Sequence, residues 1–359
     1  MAKLGDVCTI VSGTTPKTSV PEYWDGTLNW ITPAELNEDT FIINESQRKI
    51  TEEGAKSCGL TPFPAGTVIL SSRAPIGKTA IAGTEMYCNQ GFKNLICSDV
   101  IFNQYLFWFL RGNTEYLNSL GRGATFKEIS KKIVQGIEIP LPSIERQKEV
   151  ASVLDKVSSL ISLRKQQLEK LDELVKARFV EMFGDNRTNE KGFDVRKGTT
   201  LFKFSSGKFL PANQRLDDGI PVYGGNGIAW YTNEAMINYP TIIIGRVGAQ
   251  CGNIHLVNEP VWITDNAIYI KEQKTDCYDL RFLSILMDNL NYYQYADFSG
   301  QPKITQKPLE TLDYIVPPLA LQREYTSIVS QIENSKTTIQ HSLNKLETLK
   351  KALMQEYFG

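Results

Sequence analysis

The sequence has no long apolar run, no paired cysteine motif and only two histidines. No stretch approaches the ~18–20 apolar residues that a membrane span needs. The start, Met1-Ala2-Lys3-Leu4-Gly5-Asp6, lacks the basic-then-apolar pattern of a secretory signal. A cytoplasmic protein without membrane contact is the default expectation. The six cysteines, Cys8, Cys58, Cys88, Cys97, Cys251 and Cys277, include no C-x-x-C pair, so neither a zinc site nor a dithiol redox motif is indicated. Reduced, mostly buried thiols are expected instead. His255 and His341 lie far apart and have no neighbouring cysteine or carboxylate cluster, so no metal site is expected. Ile76-Gly77-Lys78-Thr79 imitates the end of a phosphate loop. The glycine required five residues before Gly77 is replaced by Ser72, and Pro75 stiffens the turn. No amino-methyltransferase signature and no glycine-rich cofactor loop is present, which leaves an enzyme reading without chemistry.

An excess of positive charge is also lacking. The chain carries 39 Lys+Arg against 40 Asp+Glu over 359 residues. Residues 1–142 hold 13 against 14, and residues 185–317 hold 13 against 15. Non-specific DNA affinity comes from cations meeting phosphates, so a uniformly basic DNA binder is excluded. A protein whose cations gather in a few loops is not, and neither is a scaffold whose domains bind protein.

What the sequence does have is a repeat. Shifted by 175 residues, Glu181-Met182-Phe183-Gly184 falls on Glu356-Tyr357-Phe358-Gly359. Leu168, Leu171 and Leu174 fall on Leu343, Leu346 and Leu349, and Gln147 falls on Gln322. The matched stretch reads as a helix capped by Ser143. Its seam is Val150, Leu154, Val157, Ile161, Leu168, Leu171, Val175 and Met182, at coiled-coil spacing. Tyr325, Val329, Ile332, Ile339, Leu343, Leu346, Leu353 and Tyr357 repeat it. Each helix would be ~40 residues and ~60 Å long at 1.5 Å per residue. The two seams pair with each other, antiparallel, if a two-fold relates the copies; the alternative pairs each with another chain.

The globular halves match more weakly. Gly66–Arg73 resembles Pro240–Arg246, a β-branched strand running into an Arg and a glycine-bearing turn. Aromatic-rich helices follow, Asn103 to Leu110 and Leu280 to Leu290, and then polar loops at Arg122–Lys127 and Ser299–Lys303. Strands mixed with helices predict an α+β fold. The expected chain is a first domain over 1–142, a long helix over 143–184, a second domain over 185–317 and a second helix over 318–359.

The order domain, long helix, domain, long helix resembles the specificity subunit of type I restriction–modification enzymes. The motifs that carry the resemblance are Ile139-Pro140-Leu141-Pro142 leading to Glu145-Arg146-Gln147, the helix end Glu181–Gly184, and their second copy from Val316-Pro317-Pro318-Leu319 to Gln322-Arg323-Glu324. Pro317-Pro318 stands where the first copy has Pro140-Leu141-Pro142, a departure that leaves the hinge before each helix open to differ. The resemblance implies an α+β fold with two pseudo-two-fold-related target-recognition domains joined by two long antiparallel coiled-coil helices. It implies a chain without catalytic residues that reads a bipartite target in double-stranded DNA. It implies docking of two methyltransferase subunits and two restriction/translocase subunits. S-adenosylmethionine, ATP and magnesium would belong to those partners, and none to this chain.

Arginine suits guanine and Asn or Gln suits adenine in the major groove, while phosphate contacts set register. On that chemistry the candidate DNA-binding residues of the first half are Thr14, Thr15, Lys17, Arg73, Lys78, Arg122 and Lys127. In the second half they are Lys208, Tyr223, Asn226, Arg246, Gln250, Gln301 and Lys303. Any one of them alone reads equally as a solvated or turn residue. Tyr223–Gly227 is a tight turn by composition. Arg122, Lys127, Lys131 and Lys132 form the densest cation cluster, opposed only by Glu128.

Overall fold

The computed structural model describes residues 1–37, 40–73, 75–123, 127–185 and 187–359. The chain divides into two compact units, residues 1–165 with 341–359, and residues 166–340. The two long helices, Ile144–Phe183 and Leu319–Phe358, are 40 residues each. Each unit therefore combines one globular half with a segment of both helices.

In the first unit, five strands pair in the order Cys8–Ser12, Lys93–Cys97, Val68–Leu70, Thr79–Ala82 and Ile42–Ile43. A smaller sheet joins Lys49–Ile50, Trp24–Ile31 and Tyr87–Cys88, the last pair parallel. Helix Asn103–Gly112 buries every residue from Tyr105 to Leu110. A helix apolar on all sides must be enclosed, and here it lies in one core with strand residues Ile10, Val68 and Leu95. Val150 and Leu154 of the first long helix and Phe358 of the second complete that core. Phe358 packs its ring 5.1 Å from Tyr105 and 5.7 Å from Phe109. Lys165 pairs with Glu347 at 3.8 Å, and Arg146 lies over Tyr357, so the two helix segments run antiparallel in this unit.

The second unit repeats the plan. Its main sheet runs Phe202–Ser206, Ala267–Gln273, Thr241–Gly245, Ile254–Val257. Its small sheet runs Gly227–Thr232, Ile220–Gly224, Trp262–Ile263, again with one parallel pair. Helix Leu280–Asn289 takes the place of Asn103–Gly112. Phe179 and Phe183 of the first long helix join Phe282 and Tyr325 in an aromatic cluster with centroids 4.7–6.3 Å apart. Lys336 bonds Asp172 and Tyr325 donates to the Val175 carbonyl, so here too the helix segments are antiparallel.

The glutamine joint between domain and helix is the same in both units, while the helix cap differs, Ser143 standing where the second copy has Pro318. Ser143 caps the first long helix by accepting from the Arg146 N–H at 3.3 Å. The fully buried Gln147 side chain donates to the carbonyls of Val100 (3.0 Å) and Pro142 (2.9 Å) and accepts from the Phe102 N–H (2.8 Å). Gln322 donates to Cys277 and Pro317, both at 2.8 Å, and accepts from Asp279 at 2.9 Å. One step further along, Asp155 accepts from Trp108 Nε1 (2.7 Å), and the corresponding Ser330 accepts from Arg281 (2.8 Å).

The seam residues of both helices are all buried or half-buried, with Val150, Leu154, Val157, Tyr325, Val329, Ile332 and Leu343 fully so. Leu174 and its repeat mate Leu349 lie outside the seam and are exposed. Phe179 and Phe183, also outside the seam, are buried at that end of the first helix. All six cysteines are free thiols, and burial pushes Cys88 up to about 12.

Candidate nucleic-acid interface

The candidate residues gather on matching loops at one edge of each unit, positioned by glycines and carbonyls. In the first unit the chain leaves strand Cys8–Ser12 through Gly13, where a Cβ would stand 1.8 Å from the Cys88 carbonyl oxygen. Only glycine fits there. The Thr14 carbonyl then accepts from Trp30 Nε1 at 3.1 Å, and the Lys17 carbonyl from Trp24 Nε1 at 3.3 Å. Arg48 stacks on Trp24 with its guanidinium carbon 3.8 Å from the ring centre. The Thr14 hydroxyl donates to the Cys58 carbonyl and the Thr15 hydroxyl to Gln90 at 2.6 Å. Lys78 gives its ammonium to the Pro33 carbonyl at 3.0 Å. Three candidates therefore already spend polar atoms inside the domain, whereas Lys17, Arg122 and Lys127 are exposed. Ala124, Thr125 and Phe126 of the polar loop lie outside the described residues.

Arg122 and Glu128, on either side of those residues, exchange both backbone bonds, at 3.0 and 2.9 Å. Beside them, the Ile129 N–H donates to Ser72 (2.9 Å) and the Ser72 N–H to Gly91 (2.7 Å). Glu128 spans two cations. Its Oε2 accepts from Arg73 Nε at 2.9 Å, and its Oε1 from Lys93 Nζ at 3.2 Å. Lys93 is 9% exposed at its side chain and also donates to the Ser72 hydroxyl at 3.3 Å. Burial alone would raise the Glu128 carboxyl, but the hydrogen bonds from Arg73 and Lys93 outweigh it and hold the group below its usual range.

In the second unit Gly207 repeats Gly13, with a Cβ placed 2.1 Å from the Thr264 oxygen. Lys208 follows, exposed, its carbonyl accepting from Trp262 Nε1 at 3.0 Å. Tyr223, the next-to-last residue of the central small-sheet strand, lies 5.9 Å from the His255 ring. Burial lowers the His255 pKa against the opposing pull of its hydrogen bond to the Gly225 backbone. Asn226 is exposed in the turn, with Gly227 at φ 94°. Gly225 in that turn abuts Gly245 and Val247, which brings Tyr223 and Asn226 beside Arg246. Arg246 donates to the Asp265 carbonyl at 3.1 Å, and Gln250 accepts from Asn253 at 2.6 Å. Gln301 and Lys303 are exposed on a hairpin closed by Asp297 and Lys303.

The hydrogen bonds correct one correspondence. The Arg246 N–H donates to Asn266 and its carbonyl accepts from Ile304, the bonds that Ser72 makes with Gly91 and Ile129. Arg246 thus corresponds to Ser72, not to Arg73, which corresponds to Val247. Likewise Glu128 corresponds to Lys303, Arg122 to Asp297 and Lys93 to Ile268. Equal scaffolds carry opposite charges. Lys93 was not among the candidates and Glu128 entered only as the acid opposing the cation cluster; the available signal was a lysine opening the strand Lys93–Cys97.

Comparison with known proteins gives the chain its family. The type I restriction modification DNA specificity domain matches residues 1–173 and 190–349, and the chain belongs to that family. The specificity subunit of the type I restriction enzyme EcoprrI from Escherichia coli is 25% identical over 379 residues, covering 97% of this chain and 90% of its own. The MjaIX specificity subunit of Methanocaldococcus jannaschii is 36% identical over 230 residues. That match covers 59% of this chain, which spans about half (53%) of the archaeal relative. The S subunit of a type I restriction–modification system from M. genitalium shares the fold, with a TM-score of 0.64 at 18% identity over 99% of this chain and 95% of its own.

Among the described residues no helix is long and apolar enough to cross a membrane. Among them, too, no group of three or more His, Cys, Asp or Glu is placed to hold a metal ion.

Proposed function

We propose that this chain is the site-selecting subunit of a cytoplasmic type I restriction–modification complex, and that each globular half reads one part of a bipartite duplex target. The observation that carries the reading is the edge just described, built twice on one backbone plan with different side chains. In the first half the contacts come from Thr14, Thr15, Lys17, Arg73, Lys78, Arg122 and Lys127. In the second they come from Lys208, Tyr223, Asn226, Arg246, Gln250, Gln301 and Lys303. A reader of two unlike half-sites needs a common frame and divergent loops. Linking the two also makes the second half-site contact intramolecular, which multiplies affinity.

The long helices set the spacing and dock two methyltransferase subunits and, through them, two restriction/translocase subunits. Exposed apolar side chains along the first helix, Val153, Leu160, Leu163, Leu174 and Val180, support a docking role. S-adenosylmethionine, ATP and magnesium reside on those partners. Methylation mapping of the host genome with and without the chain tests the reading. A two-part adenine motif should vanish on deletion; an unchanged methylation pattern sinks the proposal.

A further inference from the structure

The first unit contains a device that the second lacks. Arg73, Glu128 and Lys93 form a bridged triad, whereas the corresponding Val247, Lys303 and Ile268 cannot form one. We propose that Arg73 reads a guanine in the part of the target facing the first unit, and that Glu128, held from below by Lys93, is the positioning residue that fixes its guanidinium. The inference deepens the site-selecting reading and rests on it.

Three features favour readout over simple stabilisation. The first is the rigidity of the support. Lys93 pairs within the sheet, opposite Ser12, where a buried ammonium group needs hydrogen-bonding partners. Its bonds to Glu128 and Ser72 anchor the carboxylate to the strand, not to a mobile loop. The backbone of both partners is pinned as well, through the bridge between Arg73 and Glu128 and the bond from Ile129 to Ser72. The second is the mode of contact. Glu128 takes Arg73 by Nε, so the two terminal nitrogens remain as a paired donor set on a side chain that is 44% exposed. Guanine offers O6 and N7 as paired acceptors in the major groove, which suits such a fork. The third is charge. An isolated carboxylate at a DNA-facing edge would repel phosphate, but two cations around one carboxylate leave the group net positive. Glu128 can therefore orient the arginine without penalising DNA approach.

The experiment uses the full chain assembled with its methyltransferase subunits and a duplex carrying the host's methylation motif. Each guanine is replaced singly by 7-deazaguanine, which removes N7 and keeps Watson–Crick pairing. At one guanine the wild type should lose about ten-fold in affinity. Arg73→Ala should bind more weakly yet be indifferent to 7-deazaguanine at that position. Glu128→Gln risks leaving Lys93 buried without its carboxylate, so the paired variant Glu128→Gln/Lys93→Met is measured beside it. It should fold, keep the wild-type salt dependence, and lose most of its sensitivity at the same guanine. A structural role alone would weaken binding to every duplex equally and leave that sensitivity intact. The proposal falls if no guanine shows a sensitivity that Arg73→Ala removes, or if the folded paired variant discriminates like the wild type. If the wild-type complex shows no preference for the motif at all, the site-selecting reading itself fails and takes this one with it.

Discussion

A single buried glutamine fastens each domain to its helix. Gln147 satisfies two carbonyls and one N–H that would otherwise be buried without partners. Replacing it with leucine should destabilise the protein by about 3 kcal/mol or more, since three buried groups are orphaned and each costs about 1–3 kcal/mol. Gln322→Leu should behave alike, and chemical denaturation of each variant checks both. Glu128 governs a different axis. Its folded-state pKa lies below the ordinary carboxylate value, so its contribution is complete above that value and is lost as pH falls through the folded one. Urea midpoints measured from about pH 6 to about pH 3 should fall with acid, and Glu128→Gln should flatten part of that fall. The sequence offered Arg73 as a candidate and Glu128 only as the acid opposing Arg122, Lys127, Lys131 and Lys132, and did not show that the two meet. They are 55 residues apart, and the cation beneath them lies in a strand whose inward face cannot be told from five residues.

At the scale of elements, the long helices were legible because their pattern persists over many turns and recurs 175 residues later. The sheets were legible only as β-branched segments, since strand order depends on pairings between residues far apart in the chain. The seam left out Phe179 and Phe183 because a straight reading of spacing ignores which neighbour arrives. At that end of the first helix the neighbours are Phe282 and Tyr325, and they draw both phenylalanines into the core. The loops were legible as polar and glycine-bearing, but their register was not, which is why Arg246 seemed to match Arg73. Phe183→Ala should cost about 3–5 kcal/mol by emptying the middle of that aromatic cluster. Hydrogen exchange should then show early opening of Leu280–Asn289, while Asn103–Gly112 in the other unit keeps its protection. Phe358→Ala should reverse the pattern, because its ring packs on Tyr105 and Phe109.

Across the whole molecule, near-zero net charge makes DNA affinity depend on a small set of loop cations. The salt dependence should be shallow for a protein of this size, and each phosphate contact should register separately. Lys127→Ala should reduce the slope of log affinity against log salt by about 0.9 while leaving base preference unchanged. Arg73→Ala should alter preference instead, and titrations at several salt concentrations separate the two. The glutamine joint has a consequence for descent as well. Because Gln147 and Gln322 make the same three bonds, either globular half presents the same socket to the helix that follows it. A gene could exchange its halves, or import one from a relative, without redesigning the attachment. Divergence can then proceed in the loops, triad and all, while the fitting that holds each half in place stays interchangeable.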